Sequence, residues 1–218
     1  MPNYCNNFLI ITSKNPNVIS RIKDTYFVRE HNEEKFDFEK IVPYPQHQLD
    51  LDNFIDSYHN WQKGWDLATS LSKNSFNLSS VNLTPYPEFT ALPVEYQKRF
   101  VALAKTCWEE DECFGWYEWR KKCWGTKWNS LEAVINADEN EITIYFDTAW
   151  CPPLPIIDAL TNLEPKADIN LIYYEPGSGF AGKYANGDDT PCELGDELYK
   201  EIAIEYFGVK ESDFEDEE

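Results

Sequence analysis

Residues 5–13 (CNNFLIITS) form an apolar, partly β-branched run bounded by Asn and Ser, the pattern of a strand. Asn15-Pro16 then reads as a helix start, with Pro in the first turn. Val18, Ile19, Ile22 and Tyr26 follow at helical spacing. Residues 35–42 (KFDFEKIV) alternate, with Phe36 and Phe38 inward, and predict a strand that Pro43 and Pro45 end. Residues 46–93 are the least regular part. Polar residues dominate, interrupted by Tyr58, Trp61 and Trp65; a short helix near 52–72 is expected, with loop over SKNSFNLSS and LTPYPEF. So long a structureless stretch is unusual in a compact domain, so it reads as an insertion with structure of its own. Tyr96, Phe100, Leu103 and Cys107 put one apolar stripe on a helix over 94–110.

The second half is more strongly patterned. LEAVIN (131–136) and EITIYFD (141–147) predict paired strands around the turn ADEN. TAWCPP closes the second strand and opens a helix, where Pro152, Pro153 and Pro155 suit a first turn; Ile156, Ile157, Leu160 and Leu163 give its core face. DINLIYYE (168–175) is another strand. Thr190-Pro191-Cys192-Glu193 has the form of a capping box, predicting a helix with Leu194, Leu198, Ile202 and Tyr206 on one face and Gly208 as its stop. Without the insertion the order is close to βαββαβ. The expected fold is therefore α+β and ferredoxin-like: a split-βαβ antiparallel sheet with helices on one face, a long insertion and an added C-terminal helix. The expected organisation is one domain over 1–209, interrupted at about 46–123, and an acidic tail at 210–218.

Composition narrows the function classes. A chain of 218 residues with 16% aromatics can bury a sizeable core, which excludes global disorder. No apolar run reaches the length of a membrane span, and the start MPNYCNNFLIITS lacks a basic region, so a soluble cytoplasmic protein is expected. The formal charge is −20 and the pI about 4.4, a field that repels nucleic acid, so no direct nucleic-acid binding is expected. The six cysteines have no C-x-x-C spacing, and His31, His47 and His59 stand at no ligand spacing from them, so neither a metal nor a cofactor is implied. Gly177-Ser178-Gly179-Phe180-Ala181-Gly182 matches G-x-G-x-x-G and follows a strand. It lacks the helix that a dinucleotide site needs, so it reads as a Gly-rich hairpin joining INLIYYE to AGKYA. Trp108, Trp116, Trp119, Trp124 and Trp128 cluster within 21 positions and form either core or an exposed stacking platform.

Several blocks recur together in one family: MPNYCNN, FDFEKIVPYP, WYEWRKKCWGTKWN, IYFDTAWCPPLPIIDAL and YYEPGSGFAG. In these the chain resembles the YubB-like ferredoxin-domain family of uncharacterised plasmid and phage proteins. The resemblance implies a ferredoxin-like fold and a mobile-element origin, and it carries no catalytic residues. Its motif positions suggest a binding constellation of Trp124, Thr126, Lys127, Trp128, Trp150, Glu175 and Phe180, where two loops and a strand end meet. The leading functional expectation is a non-enzymatic accessory protein, acting as an acidic binding protein or inhibitor of a host defence or nucleic-acid-processing factor. Its partner would be a host protein with a basic nucleic-acid groove. The alternative is a small-ligand or nucleotide-binding module, with a base stacked in a Trp-lined pocket and a phosphate paired with Lys127.

Overall fold

A computed structural model describes residues 3–30, 33–57 and 61–214. In chain order the strands are β1 (Tyr4–Thr12), β2 (Phe27–Glu30), β3 (Glu33–Phe36), β4 (Leu131–Ala137), β5 (Glu141–Ala149), β6 (Asp168–Glu175), β7 (Phe180–Ala185) and β8 (Asp188–Glu193). The helices are α1 (Pro16–Tyr26), α2 (Gln46–Asp56), α3 (Trp61–Lys73), α4 (Pro87–Thr90), α5 (Val94–Asp111), α6 (Gly115–Cys123), α7 (Leu154–Leu163) and α8 (Glu197–Phe207). The chain divides into two compact units, 1–43 with 122–218, and 44–121.

The first unit is built on a six-stranded antiparallel sheet in the order β4-β5-β1-β6-β7-β8. The run β1-α1-β4-β5-α7-β6 in the spatial order β4-β5-β1-β6 is the split-βαβ arrangement, so the fold is ferredoxin-like. Period-two alternation creates its core. Leu9 and Ile11 of β1 lie opposite Ile144 and Ile142 of β5 and Leu171 and Ile169 of β6, and all six are buried. α1 buries Val18, Ile19, Ile22 and Tyr26, and α7 buries Ile156, Ile157 and Leu160. Glu164, fully buried just after α7, accepts hydrogen bonds from the Arg21 guanidinium and from Tyr26 Oη, 2.9 Å away, which ties the two helices together. α8 covers the other face of the sheet, where Ile172, Tyr174, Ala181 and Cys192 pack with Tyr199, Ile202 and Ala203.

Two sequence readings in this unit are corrected. The strand expected over 35–42 stops at Phe36. Asp37 then accepts a hydrogen bond from the backbone N–H of Glu39 and starts a 3-10 turn over Phe38–Lys40; both phenylalanines are still fully buried. The Thr190–Glu193 capping box is strand β8, paired with β7 from Phe180↔Glu193 to Ala185↔Asp188. Cross-strand pairing satisfies the backbone that a cap would otherwise serve. Helix α8 starts after Asp196 instead, and half-exposed Leu194 lies outside it; Gly208 does end it, at φ +68.

The second unit, described by itself, is helical. Leu51, Phe54, Ile55, Leu67, Ala68, Leu71, Phe100, Ala104 and Cys107 form its core. The apolar stripe of α5 is turned slightly from the one expected: Phe100, Ala104 and Cys107 are buried, whereas Tyr96 is exposed. Buried Gln48 is hydrogen-bonded at both ends of its amide. Nε2 donates to Asp111 Oδ2 (2.8 Å) and to the Cys113 carbonyl (3.1 Å), and Oε1 accepts from Gly115 N–H (2.9 Å). It therefore fixes the turn between α5 and α6.

Candidate functional site

The strand register carries Trp150, Glu175 and Phe180 to one end of the sheet. Tyr4 pairs with Ala149, and Glu175 with Phe180. Thr126 reaches the same end: its hydroxyl donates to the Ala149 carbonyl (3.0 Å) and accepts from Ala149 N–H (3.1 Å), so the 124–128 loop is stitched to the end of β5. Gly125, at φ +80, lies against Pro152 and Pro155, and a Cβ there would press on both. The two loop motifs, Trp124–Trp128 and Trp150–Pro153, therefore fit together by sterics.

The side chains have different roles from those a Trp-lined pocket requires. Trp124 is fully buried, donates from Nε1 to the Val42 carbonyl (2.9 Å) and meets the Phe38 ring edge-on at 5.7 Å. A ring sealed on all sides offers no stacking surface, so Trp124 belongs to the core. Thr126 is likewise buried, with its hydroxyl used for structure. Lys127 sits over the half-buried ring of Trp128, with Nζ 4.1 Å from the centroid, as a cation–π pair. Glu175 is fully buried: Oε2 accepts from Ser178 N–H, and Oε1 has no hydrogen-bond partner among the described residues. Among the described residues no ion pair joins Lys127 to Glu175. Trp150 is 45% exposed and holds φ +73, with its N–H donating to the Asn3 carbonyl (3.0 Å). Phe180 is half-buried, edge-on to Tyr173 at 6.2 Å. At this end only Trp150, Trp128 and Lys127 among the expected loop residues reach solvent.

Beneath them lies a polar row on the core face of the sheet. Asn7 Nδ2 donates to Thr148 Oγ1 (2.9 Å) and to the Cys5 carbonyl (2.8 Å), and Thr148 Oγ1 donates to the Cys151 carbonyl (2.8 Å). Burial, then the neighbouring Cys151 and Glu175, push the Cys5 thiol well above its ordinary range. The glycines of the G-x-G-x-x-G match have steric reasons. A Cβ at Gly177 would collide with the Asn3 side-chain amide, and one at Gly182 with the Tyr173 ring and hydroxyl; Gly179 needs φ +72. The motif is a hairpin, as its context predicts.

The helical unit also gathers a Cys, a His and an Asp. In the helical unit the Cys107 thiol donates to the His47 carbonyl (3.3 Å), and His47 Nε2 lies 2.6 Å from Asp111 Oδ2. This brings Cys, His and Asp close together, which sequence spacing could not reveal. The Cys107 thiol is fully buried and pushed up to about 12, chiefly by burial and secondly by Asp111, so it is not a thiolate nucleophile near neutral pH. Among the described residues no group of three or more His, Cys, Asp or Glu could hold a metal ion, and no helix is long and apolar enough to cross a membrane.

With the geometry in place, comparison with known proteins adds a family likeness. Residues 123–217 match the family model of the ferredoxin-like domain in Api92-like protein. The matched segment holds β4 to β8, α7 and α8, and every expected site residue. A crystal structure of a protein api92 from Yersinia pseudotuberculosis aligns with a TM-score of 0.45 at 13% identity, covering 90% of this chain and 99% of that one. No protein among those with curated descriptions matches the chain.

Proposed function

We propose that the protein is a non-enzymatic, acidic binding protein. It docks on a basic groove of a host protein, one that otherwise holds nucleic acid, as an accessory factor of a plasmid or phage. The observation that carries this reading is where the charge lies. Residues 122–218 contain 22 Asp and Glu against six Lys and no Arg, which is −16 of the chain's −20. Exposed carboxylates line edge strand β8 (Asp188, Asp189, Glu193) and continue along α8 as Glu197, Glu201 and Glu205. Four-residue spacing places the three helix carboxylates in one stripe, each about 6 Å further along the axis. Glu201 pairs with Lys183 at 2.9 Å, an exposed contact that salt screens and that leaves the field strongly negative. Such a field accelerates encounter with a basic surface and fixes its orientation more than it adds affinity.

The test is capture from host lysate with the tagged protein, with and without nuclease. Beside it run a variant carrying Glu197→Lys, Glu201→Lys and Glu205→Lys and a competition with duplex DNA. A nuclease-resistant partner, displaced by DNA and lost with the triple variant, supports the proposal. If the triple variant captures the same partner as well as the parent chain, the charge-docking reading fails. A nucleotide pocket around Lys127 loses its support, because Trp124 is sealed and Lys127 is already stacked on Trp128.

A further inference from the structure

The first unit has an open cleft at the C-terminal end of α8. Period-two alternation builds it. Asn6 and Phe8 of β1, with Tyr145 and Asp147 of β5, point away from the core face that holds Leu9, Ile144 and Phe146. Helix α8 packs on that outer face over β6, β7 and β8. On the other half, Phe8 and Tyr145 are register partners and their rings stack, with centroids 4.2 Å apart at 17°. Beside Tyr145 stands Val134 of β4, which is exposed. The cleft between this surface and the end of α8 has a volume of about 290 Å³; its walls include Asn6, Tyr145, Asp147, Tyr206 and Phe207, and no Lys or Arg lines it.

The contacts already made leave the cleft its charge. Asp147 Oδ1 accepts from Asn6 Nδ2 (2.7 Å), a neutral donor, and among the described residues no cation pairs with Asp147. Phe8 takes one face of Tyr145, which is nonetheless 39% exposed. Phe207 is stacked on Tyr174, and Lys183 Nζ lies 5.4 Å from the Tyr206 centroid while bonded to Glu201, so those two rings serve as wall. Tyr206 and Phe207 are the last two residues of α8, so the negative end of the helix dipole adds to the Asp147 charge. An anion would meet both. An apolar group would bury the carboxylate without a counter-charge. A guanidinium satisfies ring and carboxylate together: it stacks by its face and donates in its plane. A lysine ammonium is a compact, strongly hydrated point charge and has no such face. The cleft also adjoins the acidic stripe, because Glu205 directly precedes Tyr206. We propose that this cleft takes an arginine side chain of the partner as the anchor of the docked complex. This rests on the charge-docking reading above and names the residue that orients it.

The experiment titrates the whole chain with hexa-arginine and with hexa-lysine at physiological salt, read by calorimetry. The two peptides carry the same charge, so the field alone treats them alike. The expected result is binding of both, with hexa-arginine tighter by about tenfold. Tyr145→Ala and Asp147→Asn should each remove most of that preference, and Tyr145→Phe should keep it. Glu197→Gln removes the same charge outside the cleft and should also keep it. Circular dichroism on each variant separates a lost site from a lost fold. Equal affinity for the two peptides would overturn the anchor and leave charge docking standing, whereas no binding of either would overturn both. An arginine preference that survives in folded Tyr145→Ala and Asp147→Asn would likewise overturn the proposal, by placing arginine recognition elsewhere.

Discussion

Asp52 shows how far a single buried carboxyl can control the helical unit. It is nearly inaccessible and accepts a hydrogen bond from Tyr44 Oη at 2.7 Å through Oδ2, while Oδ1 has no hydrogen-bond partner among the described residues. Burial raises its pKa from 3.8 to about 6, against the lowering by the Tyr44 hydrogen bond; the charge of Asp56 adds to the rise and Arg120 opposes it. The folded state therefore binds the proton more tightly than the unfolded chain. Its stabilising contribution is fully present below about 4 and is lost as pH rises through about 6. Asp52→Asn keeps the acceptor for Tyr44 without the charge. It should melt at higher temperature than the parent chain above pH 6, by the equivalent of about 3 kcal/mol, and the difference should vanish near pH 4. Thermal melts of both proteins across that range check it. Thr126→Val should cost about 1–2 kcal/mol in denaturant unfolding, because it removes both hydrogen bonds to Ala149, and should leave partner capture unchanged. The residue scale is also where the candidate site was least legible. Trp124 and Trp150 look alike in the sequence, yet one is sealed and the other is 45% exposed. Their difference lies in packing against Phe38 and Val42, more than eighty residues away from Trp124.

Elements whose pattern is local were legible; those decided by a partner strand were not. β1, α1, β5, α7 and β6 follow from alternation, helical spacing and proline placement, and each lies where the pattern puts it. Thr190–Glu193 carries a sound local helix signal that β7 overrides by pairing along its whole length. In the polar stretch 46–93 one helix is expected near 52–72, whereas the described residues there form α2, α3 and the short α4; Leu51, Phe54 and Ile55 and then Leu67, Ala68 and Leu71 are short stripes among Asn, Ser and Asp. The β6–β7 hairpin shows what a glycine motif can mean without a ligand. Gly182→Ala forces a Cβ into the Tyr173 ring and hydroxyl, and that hydroxyl is already held by Asp189 at 2.8 Å. The substitution should destabilise the first unit by about 1–3 kcal/mol, as overpacking does. Urea unfolding followed by far-UV circular dichroism would read it, and an unchanged midpoint would contradict the close approach.

At the scale of the whole molecule the helical unit is one continuous segment of chain, 44–121, between the two parts of the first unit. Val42, just before it, accepts the Trp124 indole hydrogen bond from just after it, so its two ends are neighbours in space. Replacing residues 44–121 by a short Gly-Ser linker should leave the ferredoxin-like unit folded and cooperative, because closing a short loop between adjacent ends costs little entropy. A one-dimensional NMR spectrum with dispersed amide and shifted methyl signals is the expected outcome; collapsed dispersion would show that the sheet depends on the helical unit. The acidic edge has a consequence of a different kind. Among the described residues β8 is the outermost strand of the sheet, paired on one side only, and carries Asp188, Asp189 and Glu193 with Pro191 among them. Charge and proline on an open edge keep neighbouring molecules from adding as further strands. The repulsion between whole molecules is weakest near the isoelectric point of about 4.4, where only the proline and the twist of the edge still stand against strand addition. Solubility should therefore pass through a minimum near that pH, as turbidity across a pH series would read.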